Sequence, residues 1–272
     1  NNPGLDIPGV FMMLLMMFSF ILYLNKGEDI GWMSETGIIL LALTFLGAGL
    51  LFWWEQRAGD PLISMNLIRN PNIVKANLTG MFVFMAMAGS YLLLPYYLGY
   101  VKGMETMEYG FVLIANSVGM MAAGPAVGRI TDRTGDNRTF MIAGSIIAAL
   151  GFLMLMGLKA ETELWYILLS LFVMGAGAGM TMVSSTNLAY GYVTEAENGQ
   201  LSGMTNTIRQ AGSSSGVAIM NAVFMSNIVL GAGTVGAILM PGFKHAFFIA
   251  VLFSLTSFVL AMASNNAKGS AD

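Results

Sequence analysis

The sequence predicts an all-α polytopic membrane protein with about eight transmembrane helices. Of its 272 residues, 56% are hydrophobic and only 10% are charged, and the mean hydropathy is +0.70. A soluble domain carries about 25% charged residues. The charges that do occur collect between long uncharged windows. This combination excludes an ordinary water-soluble fold.

The uncharged windows have the length of membrane spans. A hydrocarbon core about 30 Å thick needs ~20 mostly apolar residues per helix. The seventh window is the weakest, because its first half, RQAGSSSGVAI, is small and polar. The eight windows are 7–24, 37–54, 76–98, 109–127, 139–158, 164–188, 208–230 and 246–263.

The stretch 124–138, GPAVGRITDRTGDNR, separates the fourth window from the fifth. It carries Arg129, Asp132, Arg133, Asp136 and Arg138. A charge at the centre of a bilayer costs at least ~2.5–3.5 kcal/mol. We therefore expect a short loop between two spans, and its three arginines predict that this loop is cytoplasmic.

The other basic residues predict the orientation of the chain. With both ends of the segment in the cytoplasm, every arginine falls on the cytoplasmic side of a multi-pass protein of the cell membrane. The cytoplasmic set is Arg57, Arg69, Lys75, Arg129, Arg133, Arg138, Arg209 and Lys268, and the outer set is Lys26, Lys102, Lys159 and Lys244.

The loop 55–75 is longer and more polar than the others. Its Asp60-Pro61 and Asn70-Pro71 pairs favour turns and end helices. We place a boundary there, with an inserted helix pair in 1–60 and a six-helix domain in 61–272. The opening NNPGLDIPGV has no initiator methionine and no signal peptide. We expect the chain to be a fragment that lacks its N-terminal half.

Residues for catalysis or metal binding are scarce. The chain has no cysteine, and its one histidine, His245, is predicted at the outer start of the last window. The middle of the windows holds no Asp, Glu, His or Lys, although an ionisable group there would mark a functional site. We therefore predict no enzyme, no metal and no cofactor. A net charge of −3 without a basic tract also argues against a nucleic-acid partner.

Uncharged polar residues inside the windows are the better candidates for a substrate path. They include Asn116 with Ser117 in the fourth window and the run 184–187 in the sixth, and Pro95 predicts a helix break in the third. Such groups face protein or a water-filled cavity, so each one fits either an interhelical contact or a substrate contact. The candidate path is Tyr91, Tyr96, Asn116, Ser184, Asn187, Arg209 and Gln210.

Glycines spaced four apart predict close helix packing, because small residues let helix backbones approach within a membrane. The pairs are Gly124 with Gly128, Gly175 with Gly179, and Gly212 with Gly216.

The spacing Gly128-x-x-x-Asp132-Arg133-x-Gly135-x-x-Arg138 resembles the cytoplasmic loop signature of the major facilitator superfamily, in the copy found in the C-terminal half. Two other segments, WWEQRAGDPLISMNLIRN and ENGQLSGMTNTIRQAGSSSGVAI, resemble its fourteen-span drug:proton antiporter branch. Where that signature often continues with basic residues, this chain has Asp136 and Asn137.

The resemblance implies export of small amphipathic, drug-like compounds, driven by protons through alternating access. It implies that Asp132 makes a charge contact with Arg133 and a helix N-terminus, and that Gly128 and Gly135 permit a close approach and a turn. Because the windows hold no carboxylate, the proton-coupling group is expected in the missing N-terminal half. Two alternatives stay open: an exporter of one specific metabolite, and a membrane scaffold that transports nothing.

Overall fold

The computed structural model describes residues 7–31, 33–55, 65–229 and 234–266, and no strand occurs within these ranges. Almost all of the described residues lie in helices. These are α1 (Ile7–Ile30), α2 (Glu35–Glu55), α3 (Met65–Arg69), α4 (Pro71–Tyr96), α5 (Thr106–Thr134), α6 (Asn137–Met156), α7 (Leu164–Tyr190), α8 (Asn198–Ser226) and α9 (Val235–Met262).

Each of the eight predicted windows lies largely within one of the long helices, which confirms the all-α membrane fold. Six helices in the described part are long and apolar enough to cross a bilayer: α2, α4, α5, α6, α7 and α9. Helix α1 offers a shorter apolar stretch, Phe11–Tyr23. Helix α8 is 29 residues long, but it begins with the small polar residues that made its window the weakest.

The charged stretch 124–138 is not the loop that we predicted. Helix α5 continues to Thr134 and α6 begins at Asn137, so only Gly135 and Asp136 lie between them. A helix of 29 residues is about 43 Å long, which exceeds the hydrocarbon thickness of about 30 Å. The last turns of α5 therefore carry Arg129, Asp132 and Arg133 beyond the apolar layer while they stay helical.

Helices α8 and α9 also begin about three turns before their predicted windows. The eighth window starts directly after Lys244 and His245, but a charge on an exposed helix face does not interrupt a helix. Arg209 is consequently inside α8 and not at its entrance. Lys244 and His245 are likewise inside α9 and not at its start, where we predicted them, and the prediction that they lie on the outer side stays a prediction.

The second half of the predicted loop 55–75 is helical as well. Asn70 separates α3 from α4, and its side chain accepts a hydrogen bond from the backbone N–H of Asn72 at 3.0 Å. Pro71 occupies the first position of α4, where its missing N–H costs nothing. Lys75 is therefore a helical residue. The Asp60-Pro61 pair lies outside the described residues, and the domain boundary at 60 stays a prediction.

Pro95 does not break its helix. Helix α4 passes through Pro95 and continues as a π-helical turn, Tyr97–Val101. Proline cannot donate the usual backbone hydrogen bond, and a wider turn is one way for a helix to continue past that defect.

Helices α4 and α7 pack against each other at the centre of the six-helix bundle. Helix α6 packs against α7 and α9, α9 packs also against α4, α5 packs against α7, and α8 packs against α4 and α9. Helix α1 packs against α2 and against α8. Fully buried aromatic and aliphatic side chains fill the centre, among them Tyr97, Phe152, Leu171, Phe243 and Phe247.

Two of the three predicted glycine pairs lie at close helix crossings. A Cβ on Gly175 would lie 2.1 Å from the carbonyl oxygen of Asn116, and one on Gly216 would lie 2.2 Å from that of Met85. These contacts bring α7 against α5 and α8 against α4. The pair Gly124 and Gly128 differs, because a Cβ at either would only reach ordinary contact with Val183, at 3.5 Å.

Candidate functional site

The signature residues lie where α5 meets α6. Gly135 ends α5 in the left-handed conformation, with φ +69°, and its N–H donates to the carbonyl of Thr131 at 2.8 Å. A residue with a side chain is strained at that φ, whereas glycine is not. The arginines of this junction and Arg69 define what we call the arginine-rich end of the bundle. The other end, with Lys102 and Lys159, is the lysine end.

The part of the signature on α5 is exposed. Asp132 and Arg133 are both exposed, and neither side chain makes a hydrogen bond or an ion pair with any residue that the structure describes. The contact between Asp132 and Arg133 that the resemblance implies is therefore not formed here. Both side chains are available to another surface.

The part of the signature on α6 is bound to the end of α9. The guanidinium of Arg138 donates to the carbonyl of Met262 at 2.7 Å, and its backbone N–H donates to the side chain of Asn266 at 2.8 Å. Lys75 donates to the next carbonyl, that of Ala263, at 2.7 Å. Two cations thus neutralise the negative end of the α9 dipole and satisfy carbonyls that have no partner within the helix.

Further hydrogen bonds fasten the residues after α9. The amide of Asn266 donates to the carboxylate of Asp136 at 2.8 Å, and the phenol of Tyr192 donates to the carbonyl of Asn265 at 2.9 Å. The backbone N–H of Asn265 donates to the side chain of Asn72 at 3.2 Å. We call this set, from Met262 to Asn266 with its partners, the α9 clasp. It joins α4, α6 and the turn after α7 to one short segment.

Asp136 is the acidic member of the clasp and the N-cap of α6. Its carboxylate accepts hydrogen bonds from the backbone N–H of Thr139 at 3.2 Å and from Asn266. Its hydrogen bonds to Thr139 and then to Asn266, with a smaller contribution from the charge of Arg138, hold the pKa of Asp136 below its ordinary value.

Among the predicted path residues, Tyr91 and Asn116 meet in the interior. The phenol of Tyr91 on α4 donates to the side-chain oxygen of Asn116, which is fully buried on α5. The amide of Asn116 in turn donates to the carbonyl of Leu171 on α7 at 3.5 Å. This chain of hydrogen bonds ties the three helices together.

A second polar group lies closer to the arginine-rich end. Asn187 on α7 donates to the hydroxyl of Thr131 on α5 at 3.3 Å, and Arg209 on α8 donates to the hydroxyl of Thr186 at 2.5 Å. Ser184 is fully buried on α7, and its hydroxyl has no partner among the described residues.

Arg209 and Gln210 also line a cavity of about 470 Å³ between α1, α4 and α8. Its wall is apolar on one side, with Met17 of α1 and Phe84 of α4, and polar on the other. The polar side belongs to α8, which contributes Arg209, Gln210 and two neighbours, Asn206 and Thr207.

Tyr96 lies apart from this cavity. It is exposed towards the lysine end and stacks on Tyr100, with ring centroids 6.0 Å apart. The seven predicted path residues therefore occupy three places in the bundle: the Tyr96 surface, the Tyr91–Asn116 contact, and the polar group near the arginine-rich end. Only Arg209 and Gln210 share a described cavity.

The described residues contain no group of three or more histidine, aspartate or glutamate side chains that could hold a metal ion. Sequence reasoning missed the α9 clasp, in which Asn72, Lys75 and Asn266 take part although none lies in a recognisable motif. The one available signal was the polar run Ser264-Asn265-Asn266 directly after an apolar window.

Comparison with known proteins decides the family. A family model described as Major Facilitator Superfamily matches residues 54–217, which is more than half of the chain. The chain belongs to the major facilitator superfamily. It is thus a multi-pass membrane protein, and the match indicates no catalytic family.

Among characterised relatives of this superfamily, the multidrug resistance protein Stp of Mycobacterium tuberculosis is 27% identical over 218 residues, covering 80% of this chain and 40% of its own. The multidrug transporter protein MdtP of Bacillus subtilis is 26% identical, with coverages of 80% and 40%. The methylenomycin A resistance protein of Streptomyces coelicolor is 27% identical, with coverages of 82% and 46%. The chain therefore spans less than half the length of these relatives.

Proposed function

We propose that this chain supplies one six-helix half, with an inserted helix pair, of an exporter for small amphipathic compounds that is driven by the proton gradient of the cytoplasmic membrane. The names of Stp and MdtP support the substrate class, because both describe multidrug proteins. The coverage of 40% to 46% of the relatives supports a partner half that completes the transporter.

The observation that carries this proposal is the cavity lined by Arg209 and Gln210. A half-buried guanidinium beside the ring of Phe84 offers a hydrogen-bond donor and an apolar surface within one space of about 470 Å³. An amphipathic compound needs both, because its apolar body is removed from water while its polar group keeps a partner. The single described partner of Arg209 is a neutral hydroxyl, so its charge is not neutralised within the described part of the chain.

Alternating access requires a contact whose energy differs between two states. Asp132 and Arg133 are suited to this role, since both are exposed at the arginine-rich end without partners among the described residues. In the proposed transporter they face the other half, and that contact forms in one state and breaks in the other.

Proton coupling needs a group that changes its protonation within the membrane. Where the structure describes burial, none of the buried side chains is a carboxylate. We infer that the coupling group belongs to the partner half. Reconstituted in vesicles with an imposed pH gradient, residues 1–272 alone should not move a fluorescent cationic dye, whereas the complete transporter should.

Arg209 tests the cavity directly. In cells that produce the complete transporter, Arg209→Gln should reduce dye efflux about tenfold, because it removes a donor to a desolvated polar group. The matched control is Arg69→Gln, which removes one charge from an exposed residue of the arginine-rich end. Equal efflux by Arg209→Gln and the unmodified protein, at equal abundance, would disprove a role of this cavity.

The proposed orientation has its own test. A cysteine placed at Gly135 should react only with a reagent added to the cytoplasmic side, and one at Gly103 only from outside, since the two glycines lie at opposite ends of α5. The chain has no cysteine of its own to interfere. Labelling of both positions from one side would contradict this topology.

A further inference from the structure

A second cavity, of about 1040 Å³, lies at the lysine end between α6 and α9. It is distinct from the cavity of Arg209, because the two cavities share no lining residue. Part of its wall is apolar, with Leu153, Met156, Met240 and Pro241. The rest carries four ionisable side chains, Lys159, Glu161, Lys244 and His245.

The loop that forms one wall of this cavity is fixed by hydrogen bonds. Lys102 donates to the carbonyls of Ala160 at 3.0 Å and Thr162 at 2.7 Å. The buried Tyr97 donates to the carbonyl of Lys159 at 2.7 Å. Tyr97 of the π-helical turn and Lys102 therefore fix the backbone of the loop. The ammonium group of Lys159 takes no part in these hydrogen bonds.

The ionisable groups of the cavity are largely unused by the protein. Lys159, Lys244 and Glu161 are exposed, and none of their side chains makes a hydrogen bond or an ion pair with a described residue. His245 is bound through Nδ1, which lies 2.8 Å from the carbonyl oxygen of Pro241. Because a carbonyl only accepts, Nδ1 carries the hydrogen, and Nε2 is left to bind a ligand.

An apolar surface continues from this charged rim along the outside of the bundle. Leu150 and Leu153 of α6 are each 50% exposed, and Phe248 and Leu252 of α9 are 46% and 41% exposed. In a membrane protein this surface faces acyl chains. Charged groups that border the exposed apolar faces of two helices match a molecule with a phosphate at its head and hydrocarbon below it.

We propose that this cavity binds a phospholipid from the leaflet at the lysine end. The ammonium groups of Lys159 and Lys244 bind the headgroup phosphate, and the acyl chains lie on Leu153 and Phe248. Hydroxyl groups of a glycerol headgroup donate to Glu161 and to Nε2 of His245, so phosphatidylglycerol is the suitable probe. This site depends only on membrane insertion and not on the proposed drug export.

Native mass spectrometry of the purified, delipidated protein tests the proposal. Titration with phosphatidylglycerol should show one tightly retained lipid. Lys159→Gln and Lys244→Gln should each raise its Kd about fivefold, since a lysine near a membrane surface contributes attraction of that order. Arg69→Gln is the matched control, because it removes one exposed positive charge at the opposite end, and it should leave the Kd unchanged.

Two further ligands test whether the site needs both the phosphate and the acyl chains of the lipid. Diacylglycerol with the same chains lacks the phosphate and should bind at least tenfold more weakly. Inorganic phosphate at the same concentration lacks the chains and should not displace the lipid. The proposal is overturned if either lysine variant binds phosphatidylglycerol as the unmodified protein does. It is equally overturned if diacylglycerol binds as tightly or if inorganic phosphate displaces the lipid.

Discussion

The two parts of the loop signature differ in what their charged residues contact. On α5, Asp132 and Arg133 are exposed, and their side chains make no hydrogen bond within the described chain. At the start of α6, its N-cap Asp136 and Arg138 are only partly exposed, and both are bound to the last residue of α9 or to the residues after it. The four residues lie within seven positions of one another, yet one pair is free and the other is part of the fold.

This difference separates a conformational role from a structural one. A residue that already satisfies its hydrogen bonds inside one half gains little from a contact with another half, whereas an unpartnered charge is available for it. The α5 part of the signature is thus suited to switching between states. The α6 part fastens the start of α6 to the end of α9, through the α9 clasp.

Arg138→Ala should have the largest effect on stability. It removes the hydrogen bond to Met262 and a cation at the C-terminal end of α9, and we expect the free energy of unfolding to fall by about 1–2 kcal/mol. This decrease is smaller than the largest values for hydrogen bonds of charged groups. The reason is that the substitution also removes Nε of Arg138, which is buried without a described partner and therefore destabilises the fold. Thermal unfolding in detergent measures the change.

The control for this variant is Arg133→Ala, which removes the same charge from the free part of the signature. It should change the free energy of unfolding by less than about 0.5 kcal/mol, as is usual for an exposed residue. Equal destabilisation by the two variants would mean that the hydrogen bonds of Arg138 in the clasp do not stabilise the fold.

Asp132→Asn should show the reverse pattern. It removes the charge while nearly preserving the shape, and we expect dye efflux by the complete transporter to fall about fivefold to tenfold, as for a coupling free energy of about 1 kcal/mol. The stability should not change. Glu195→Gln is the matched control, since Glu195 is an exposed carboxylate at the same end outside the signature. Unchanged efflux by Asp132→Asn at equal abundance would leave Asp132 a solvated residue.

The fold was predictable from the sequence because hydropathy identifies long apolar segments. Such segments cross a bilayer as helices, which satisfy their own backbone hydrogen bonds. The ends of the helices were less predictable. The fourth window ends before Arg129 and the eighth begins after His245, so Arg129, Asp132 and Arg133 were assigned to a loop and His245 to the start of its span. The seventh window begins only at 208, which placed Arg209 at the start of its span. A helix that extends beyond the bilayer carries charges without penalty, and hydropathy has no signal for that extension.

The candidate site was predictable only in part. An isolated polar residue in a span, such as Asn116 or Asn187, indicates a buried contact, and both do contact neighbouring helices. The pattern does not show which helix supplies the partner, because that depends on packing between residues far apart in sequence. The α9 clasp illustrates the same limit, since Lys75 and Ala263 are 188 positions apart.

The smallest expected effect concerns the carboxylate of Asp136. Hydrogen bonds from Thr139 and Asn266 favour its charged form, so its pKa in the folded protein is lowered from 3.8. Between the lowered pKa and the ordinary value, the unfolded chain binds more protons than the folded one, and stability rises with pH. The contribution of Asp136 is therefore complete above the ordinary value and is lost as the pH falls through the folded pKa.

Asp136→Asn should weaken the fall of the unfolding temperature below pH 4 and change little at pH 7, because an amide oxygen still accepts both hydrogen bonds. Asp132→Asn removes the same charge from a carboxylate that accepts no described hydrogen bond, and it should keep the acid sensitivity of the unmodified protein. If both variants lose that sensitivity equally, then the acid response reflects the total charge of the arginine-rich end and not the clasp.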